Sequence, residues 1–235
     1  MIQAQERLIV ALDVSSAAAA RAIVAAVGES ASLYKVGMQL FTAEGPPIVR
    51  DMLASGRKVF LDLKYHDIPH TVGEAVAEAA KLKVAMLTIH AGGGAKMLRA
   101  AAEAAKSSES KPLVLGVTVL TSLKDSDLPE IGMAGSVENQ VLRLAGLALQ
   151  SGCGGVVASA REARLLRDSL GSGFAIVTPG IRPTGAEKGD QERVVTPGQA
   201  IQAGATHIVV GRPITAAPNP ARAARAILEE LGESA

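Results

Sequence analysis

Short apolar runs rich in Val, Ile and Leu recur eight times along the chain, and each is followed by a longer segment with helical spacing. Nearly continuous apolar runs of this length are typical of parallel strands that are covered on both faces. The runs cover residues 8–14, 33–37, 58–64, 85–91, 113–120, 155–159, 175–180 and 207–211. The alternation predicts an α/β fold built from eight strand–helix repeats.

Residues that begin and end helices support this alternation. Ser15 and Ser16 precede an Ala-rich segment, and Ser136 precedes another apolar helical segment. Several segments end on glycine before the next strand, at Gly28, Gly56, Gly152 and Gly204. Because no linker interrupts the repeats, we predict a (β/α)8 TIM barrel that forms a single domain over residues 1–235. An open doubly wound sheet is the alternative, although no GxGxxG motif follows the first strand.

Composition narrows the classes of partner. The net charge is +1 at pH 7 and no run of Lys and Arg is present, which argues against nucleic acid and membrane surfaces. Only 2% of the residues are aromatic, too few to stack the bases of a single strand. Cys153 is the only cysteine, so no intrachain disulfide can form, and residues 1–8 lack the pattern of a signal peptide. We therefore expect a cytoplasmic protein.

Polar residues concentrate where the predicted strands end. In a TIM barrel the active site lies at the carboxyl ends of the strands. The polar residues at these ends are Asp13, Lys35, Asp62, Lys64, His90, Thr121, Ser122, Arg182 and Arg212. A barrel with a purely structural role does not need so many polar groups at one rim, so the pattern predicts a functional site there.

The third predicted strand carries the most informative residues. Asp62 and Lys64 are two positions apart, so on a strand their side chains point to the same face. Asp67 lies just beyond the strand. The alternative interpretation is an ion pair buried in the barrel mouth. However, Asp13 and Lys35 from neighbouring strands should join the cluster, and so many converging charges are costly unless they are used.

The loops after the last two strands suggest a phosphate site, because TIM barrels often bind phosphate there. They supply Arg182 and Arg212, whose guanidinium groups suit bidentate contacts, and Gly211 offers a backbone amide near a helix start. The polar loop 181–193 could close over a ligand as a lid, or it could be an ordinary solvated loop.

Several other residues are assigned structural roles. His66 and His70 lack a third ligand at metal spacing, so we expect no metal site. His90 is expected to form a hydrogen bond in the barrel mouth. The glycines at 92–94 lack the Lys-Ser/Thr of a phosphate loop and are interpreted as a strand-to-helix turn. Cys153 has no neighbouring base and is not expected to be a nucleophile.

Residues 62–71, Asp-Leu-Lys-Tyr-His-Asp-Ile-Pro-His-Thr, resemble the signature of the orotidine 5'-monophosphate decarboxylase family. Five further motifs match the family pattern in order: ALD at 11–13, KVG at 35–37, LTS at 120–122, TPGIRP at 178–183 and VVGRPI at 209–214. The resemblance covers about residues 8–230. Asp-x-Lys-x-x-Asp alone is shared with barrel enzymes that act on sugar phosphates, whereas its combination with Ile-Pro-x-Thr and TPGIRP is more specific. His70 departs from the family, in which many members have Asn.

The resemblance implies a cofactor-free enzyme that converts orotidine 5'-monophosphate to UMP and CO2, the last step of de novo UMP biosynthesis, by direct decarboxylation. Lys64 would protonate a carbanion at C6 of the pyrimidine, within a charge array completed by Lys35, Asp62 and Asp67. The implied substrate-binding residues are Asp13 and Lys35 for the ribose, Thr121 and Ser122 near the pyrimidine, and Arg182, Gln191, Gly211 and Arg212 for the phosphate. The family also implies a homodimer with shared active sites, into which Asp67 and Thr71 of the neighbouring subunit reach.

Two alternative functions remain open at this point. A metal-dependent sugar-phosphate decarboxylase or aldolase-like enzyme would use the same acidic residues to hold Mg²⁺ beside an enediolate. A non-catalytic phosphate-binding barrel would serve as a sensor or assembly module, and it would not need Lys64 within reach of its ligand. Because no phosphoribosyltransferase segment accompanies the motifs, we expect a decarboxylase of this sequence to catalyse that single step.

Overall fold

Eight parallel strands form a closed barrel in the computed structural model, which describes residues 4–183 and 195–232. The strands are β1 (Leu8–Leu12), β2 (Leu33–Gly37), β3 (Lys58–Tyr65), β4 (Met86–His90), β5 (Leu113–Val117), β6 (Gly155–Val157), β7 (Ala175–Thr178) and β8 (His207–Val210). Each neighbour along the chain pairs in parallel, and β1 also pairs with β8. The predicted TIM barrel is therefore confirmed, and the open sheet is excluded.

Helices follow the strands and pack around the barrel. They are α1 (Ala4–Arg7), α2 (Ala17–Val27), α3 (Met38–Glu44), α4 (Pro46–Ala54), α5 (Pro69–Lys81), α6 (Gly94–Ser107), α7 (Val137–Gln150), α8 (Ala160–Leu170), α9 (Pro197–Gln202), α10 (Arg212–Thr215) and α11 (Pro220–Gly232), with 3-10 turns at Gly28–Ser30, Ala91–Gly93 and Asp125–Ile131. The hydroxyls of Ser16 and Ser136 accept hydrogen bonds in the first turns of α2 and α7, as N-caps do. Within the described ranges, no helix combines the length and the apolar character needed to cross a bilayer.

The inside of the barrel has an apolar layer beneath a polar one. The apolar layer consists of Ile9, Ala11, Leu33, Phe60, Met86, Leu115, Val177 and Val209. Because side chains alternate along a strand, the next inward positions toward the carboxyl ends are occupied by Lys35 after Leu33, Asp62 after Phe60 and Thr88 after Met86. The apolar layer thus separates the polar groups from the other end of the barrel.

His207 lies buried at the start of β8, and its Nδ1 is 2.9 Å from the hydroxyl of Thr206. Burial lowers the pKa of His207 from 6.5 to about 4, with a further lowering by Arg7 that Glu6 opposes. Above pH 6.5 the ring is neutral in both the folded and the unfolded chain. As the pH falls toward 4, the unfolded chain takes up the proton first, so the folded state loses stability over this window.

Replacing His207 with Asn should therefore reduce the acid sensitivity of the fold. By itself the titration of His207 removes about 3 kcal/mol from the free energy of unfolding between pH 7 and pH 4. In urea titrations across this range, His207→Asn should lose correspondingly less stability than the parent. The matched control is His70→Asn, which makes the same replacement at an exposed histidine of α5. Equal pH dependence in both variants would contradict the role of His207.

Candidate active site

Four charged side chains meet at the carboxyl end of the barrel, and we call them the charged layer: Asp13, Lys35, Asp62 and Lys64. The Lys35 ammonium is 2.7 Å from Asp13 Oδ1 and 3.7 Å from Asp62 Oδ2. The Lys64 ammonium is 2.8 Å from Asp62 Oδ1 and 2.9 Å from Asp62 Oδ2. The signs of the charges therefore alternate along a continuous row.

The row runs from the solvent into the barrel. The Lys35 and Asp62 side chains are only 11% and 12% exposed, whereas that of Asp13 is largely exposed. A residue with a side chain at position 37 would obstruct the row, because a Cβ on Gly37 would lie 2.9 Å from the Lys35 ammonium. Even closely paired charges add little net stability when they are this buried, because the cost of removing them from water offsets their attraction. Their presence here therefore points to a function rather than to stability.

The strand that carries Asp62 and Lys64 is irregular. Leu61 pairs with Leu87 and Tyr65 pairs with Ile89, so residues 62–64 face a single residue of β4. Lys64 has a φ of 52°, a left-handed backbone conformation that residues other than glycine rarely adopt. A β-bulge, and not the simple alternation expected from the sequence, therefore directs the Lys64 side chain. Lys83 and Lys111 share this conformation on the surface, so what distinguishes Lys64 is that its strained backbone lies within the charged layer.

Two cavities open on the charged layer. One of about 170 Å³ is bounded by Lys64 and Thr121 and by an apolar wall that consists of Phe60, Val117, Val119, Leu120, Val157, Val177, Pro179 and Val209. The other, of about 380 Å³, extends past Asp13 to Arg182 and Arg212. Both include Lys35 and Asp62, so they form one cleft with an apolar end and an arginine end. This shape suits an elongated ligand with an anionic terminus.

A larger groove, of about 730 Å³, lies between α5 and α6 on the outside of the barrel. Its walls carry Glu74, Lys81 and Glu103 together with alanines, and it lies on the helical layer instead of at the strand ends. The cleft over the charged layer is the better candidate, because ligand sites of TIM barrels lie at the strand ends.

Arg182 and Arg212 form the arginine end of the cleft. Arg182 is buried, and it donates a hydrogen bond to the carbonyl of Ile181 at 2.9 Å. Burial lowers the pKa of Arg182, and the nearby charge of Arg212 lowers it further. An anion between the two guanidinium groups would relieve this repulsion. Gly211, which precedes α10, lines the same cavity.

Other predicted site residues lie away from the cleft or beyond the described residues. Asp67 and Thr71 are exposed, and neither lines the cleft. Asp67 Oδ1 accepts a hydrogen bond of 2.6 Å from the amide of Ile68, and Asp67 has no ion-pair partner among residues 4–183 and 195–232. Ser122 is exposed as well, next to Thr121 in the cavity wall. Gln191 and most of the predicted lid lie outside the described residues.

Two features were missed by sequence reasoning. Thr88 is fully buried, donates a hydrogen bond to Asp62 Oδ1 and accepts one from the Lys64 amide, each at 2.9 Å. The signal available for Thr88 was a polar residue within the apolar run of the fourth strand. His90, for which we expected a hydrogen bond in the barrel mouth, instead stacks its ring on that of His66, with centroids 5.1 Å apart, and forms no hydrogen bond to a described residue. Burial lowers the pKa of His90, and the charges of His66 and Lys64 add to this.

The part of the chain that the structure describes contains no cluster of three or more His, Cys, Asp or Glu side chains that could hold a metal ion. Both oxygens of Asp62 instead face the ammonium groups of Lys35 and Lys64.

Comparison with known proteins identifies the family. A model of the orotidine 5'-phosphate decarboxylase / HUMPS family matches residues 6–227. Proteins named orotidine 5'-phosphate decarboxylase from Heliobacterium modesticaldum and Halorhodospira halophila are 50% and 52% identical, over 99% and 96% of this chain and 98% and 95% of theirs. The crystal structure of orotidine 5'-phosphate decarboxylase from Lactobacillus acidophilus superimposes with a TM-score of 0.86 at 38% identity, over 95% of this chain and 98% of that chain. The chain therefore belongs to the orotidine 5'-phosphate decarboxylase / HUMPS family.

Proposed function

We propose how the charged layer carries out the reaction of this enzyme, the decarboxylation of orotidine 5'-monophosphate to UMP and CO2 in pyrimidine biosynthesis. The observation that carries the proposal is the Lys64 ammonium, which is held against Asp62 at the edge of the apolar cavity. A positioned ammonium in a partly dry site stabilises a developing carbanion and then protonates it. Lys64 is therefore the proton donor to C6 of the pyrimidine in our mechanism.

The residues that line the cleft suggest how the nucleotide binds. The pyrimidine would lie in the apolar cavity beside Thr121, with Ser122 near its edge. The ribose hydroxyls would then reach Lys35, which lines both cavities, and Asp13, which is paired with it. The phosphate would lie at the arginine end, held by Arg182, Gly211 and Arg212, with Gln191 as a further predicted contact.

Asp62 acts on the substrate carboxylate in this proposal. Hydrogen bonds and ion pairs fix the Asp62 carboxylate in the cavity wall, so it cannot easily turn away from a second negative charge. Repulsion between the two carboxylates raises the energy of the bound substrate and disappears as neutral CO2 leaves. Binding of the phosphate, remote from C6, offsets the cost of this repulsion.

We infer that two copies of the chain share their active sites. Asp67 is exposed without an ion-pair partner in the described part of its own chain. Two large apolar side chains beside the strand ends, Met38 and Ile68, are 56% and 65% exposed. A second copy would cover these apolar groups. In a two-fold dimer, Asp67 of one subunit would complete the charge array of the other, and Thr71 would reach into the same active site.

We further propose that residues 1–235 act as a single domain in the cytoplasm, without nucleic acid or membrane partners. Pairing of β1 with β8 closes the barrel between its first and last strands, which supports a single cooperative unit. The small net charge and the single buried cysteine are consistent with a protein of a reducing compartment.

A turnover assay with orotidine 5'-monophosphate and with the nucleoside orotidine tests the function and the phosphate site together. We expect the parent to release UMP and CO2 in EDTA. Arg212→Ala should lower kcat/KM for the nucleotide about 10- to 100-fold, since a charge-assisted hydrogen bond contributes about 1.5–3 kcal/mol. The same variant should change kcat/KM for orotidine by no more than about twofold.

The matched control is Arg164→Ala, which removes an exposed arginine of α8 that donates to the carbonyl of Gln202. It should behave as the parent on both substrates. Loss of turnover in EDTA would favour the Mg²⁺-dependent alternative, and no turnover at all would favour the non-catalytic barrel. If Arg212→Ala impaired nucleoside and nucleotide equally, Arg212 would not bind the phosphate.

A further inference from the structure

The bulge in β3 removes the Lys64 amide from the regular hydrogen-bond ladder. Residues 62–64 face only Thr88 of β4, because pairing resumes at Tyr65 with Ile89. A buried amide without a partner is costly, and the left-handed conformation of Lys64 adds roughly 1–2 kcal/mol. Something in the surrounding structure must therefore hold this backbone in place.

The hydroxyl of Thr88 meets this need. Its oxygen accepts the hydrogen bond of the Lys64 amide at 2.9 Å, in place of a backbone carbonyl. Its proton is donated to Asp62 Oδ1, also at 2.9 Å. A hydroxyl is suited to both tasks because it carries a donor and acceptor lone pairs on one atom. Thr88 is fully buried, so water cannot replace either bond without entering the barrel.

We propose that Thr88 is a positioning residue for decarboxylation, whose single hydroxyl aligns the Asp62 carboxylate and the Lys64 backbone with each other. This inference rests on the roles proposed for Asp62 and Lys64. The hydroxyl fixes Oδ1 of the carboxylate, which leaves Oδ2 directed toward Lys35 at 3.7 Å. The same oxygen fixes the backbone from which the Lys64 ammonium extends. One atom thus sets the geometry of both groups that face the reacting carbon.

Loss of this hydroxyl should impair the chemical step more than substrate binding. The phosphate and ribose contacts come from other strands and their loops, so they would remain. Lys64 and Asp62 would each lose a buried partner, and the bulge would relax toward a regular strand. A displacement of about 1 Å at the reacting centre costs on the order of 10²-fold in rate.

Thr88→Val and Thr88→Ser test the proposal by kcat and KM for orotidine 5'-monophosphate. Valine keeps the shape and removes the hydroxyl, so kcat should fall on the order of 10²-fold while KM changes little. Serine keeps the hydroxyl but has a freer χ1, so its kcat should stay within about threefold of the parent. Rescue by serine separates the hydroxyl's role from that of the methyl group.

Thr206→Val is the matched control. The hydroxyl of Thr206 also makes two hydrogen bonds, since it accepts one from the amide of Ile176 and donates one to the carbonyl of Ile176, each at 3.0 Å. Thr206 precedes β8 at the amino end of the barrel and does not line the cleft. This variant loses both hydrogen bonds, so its melting temperature should fall, but its kcat should remain that of the parent.

The outcomes distinguish this inference from the proposed function. If Thr88→Val keeps kcat within about threefold of the parent while Lys64→Ala is inactive, the positioning role is wrong. Equal losses of kcat in Thr88→Val and Thr206→Val would likewise reduce Thr88 to a structural residue. Near-normal activity of Lys64→Ala would overturn the role of Lys64 itself. Should Thr88→Val not fold, Thr88→Ala takes its place, and equal kcat in the Ala and Ser variants would refute the proposal.

Discussion

Replacement of Lys64 by Ala should abolish decarboxylation while the barrel still folds. The other ammonium group of the charged layer, on Lys35, is paired with Asp13 at 2.7 Å and lies where the two cavities join. In the proposed binding mode it contacts the ribose, so we do not expect it to replace Lys64 as the proton donor to C6. Loss of both the proton donor and the electrostatic stabilisation of the carbanion should lower kcat by a factor of at least about 10⁴. The measurement is the initial rate of orotidine 5'-monophosphate consumption.

Lys58→Ala is the matched control for this experiment. Lys58 begins the same strand at the opposite end of the barrel, where its ammonium is 3.2 Å from Glu6. Its removal should leave kcat unchanged. We expect Lys64→Ala to fold, because Asp62 keeps the ammonium of Lys35 nearby when Lys64 is absent. A thermal melt of both variants shows whether the fold is retained. Near-normal turnover of folded Lys64→Ala would remove this lysine from the mechanism.

The fold could be predicted because strand and helix periods are properties of local sequence. All eight apolar runs form strands, although most end one to three residues earlier than the runs do. The difference has a physical cause. Residues such as Asp13 and Pro179 belong to the loops that follow β1 and β7, where the backbone leaves the hydrogen-bond ladder of the sheet. Local apolar character cannot show where backbone pairing stops.

The charged layer could be predicted in composition but not in geometry. Asp62 and Lys64 were recognisable as charges within an apolar run, and a barrel brings the ends of neighbouring strands together. The bulge that directs Lys64 depends on Thr88, which is 24 residues away in the chain. Nothing in the local sequence around Lys64 indicates a left-handed backbone, since lysine has no preference for it.

The role of Asp67 shows a second limit of reasoning from one chain. Its position after β3 suggested that it belongs with Asp62 and Lys64, and the family resemblance assigned it to the neighbouring subunit. In the structure it is exposed and does not line the cleft of its own chain. The assignment to a partner therefore stays a prediction, and it is one that mixing of two inactive variants can decide.

Lys64→Ala and Asp67→Ala homodimers should each be nearly inactive, and mixing them should restore activity. If each site takes Lys64 from one subunit and Asp67 from the other, a mixed dimer has one site with both changes and one site with neither. Random pairing makes about half of the dimers mixed, so roughly a quarter of the parent activity should return. The matched control is a mixture of Lys64→Ala with Lys35→Ala, whose two residues come from the same subunit and so leave no intact site. Subunit exchange is verified by two different affinity tags; if exchange is complete and the first mixture stays inactive, Asp67 does not act across the interface and the shared-site model is wrong.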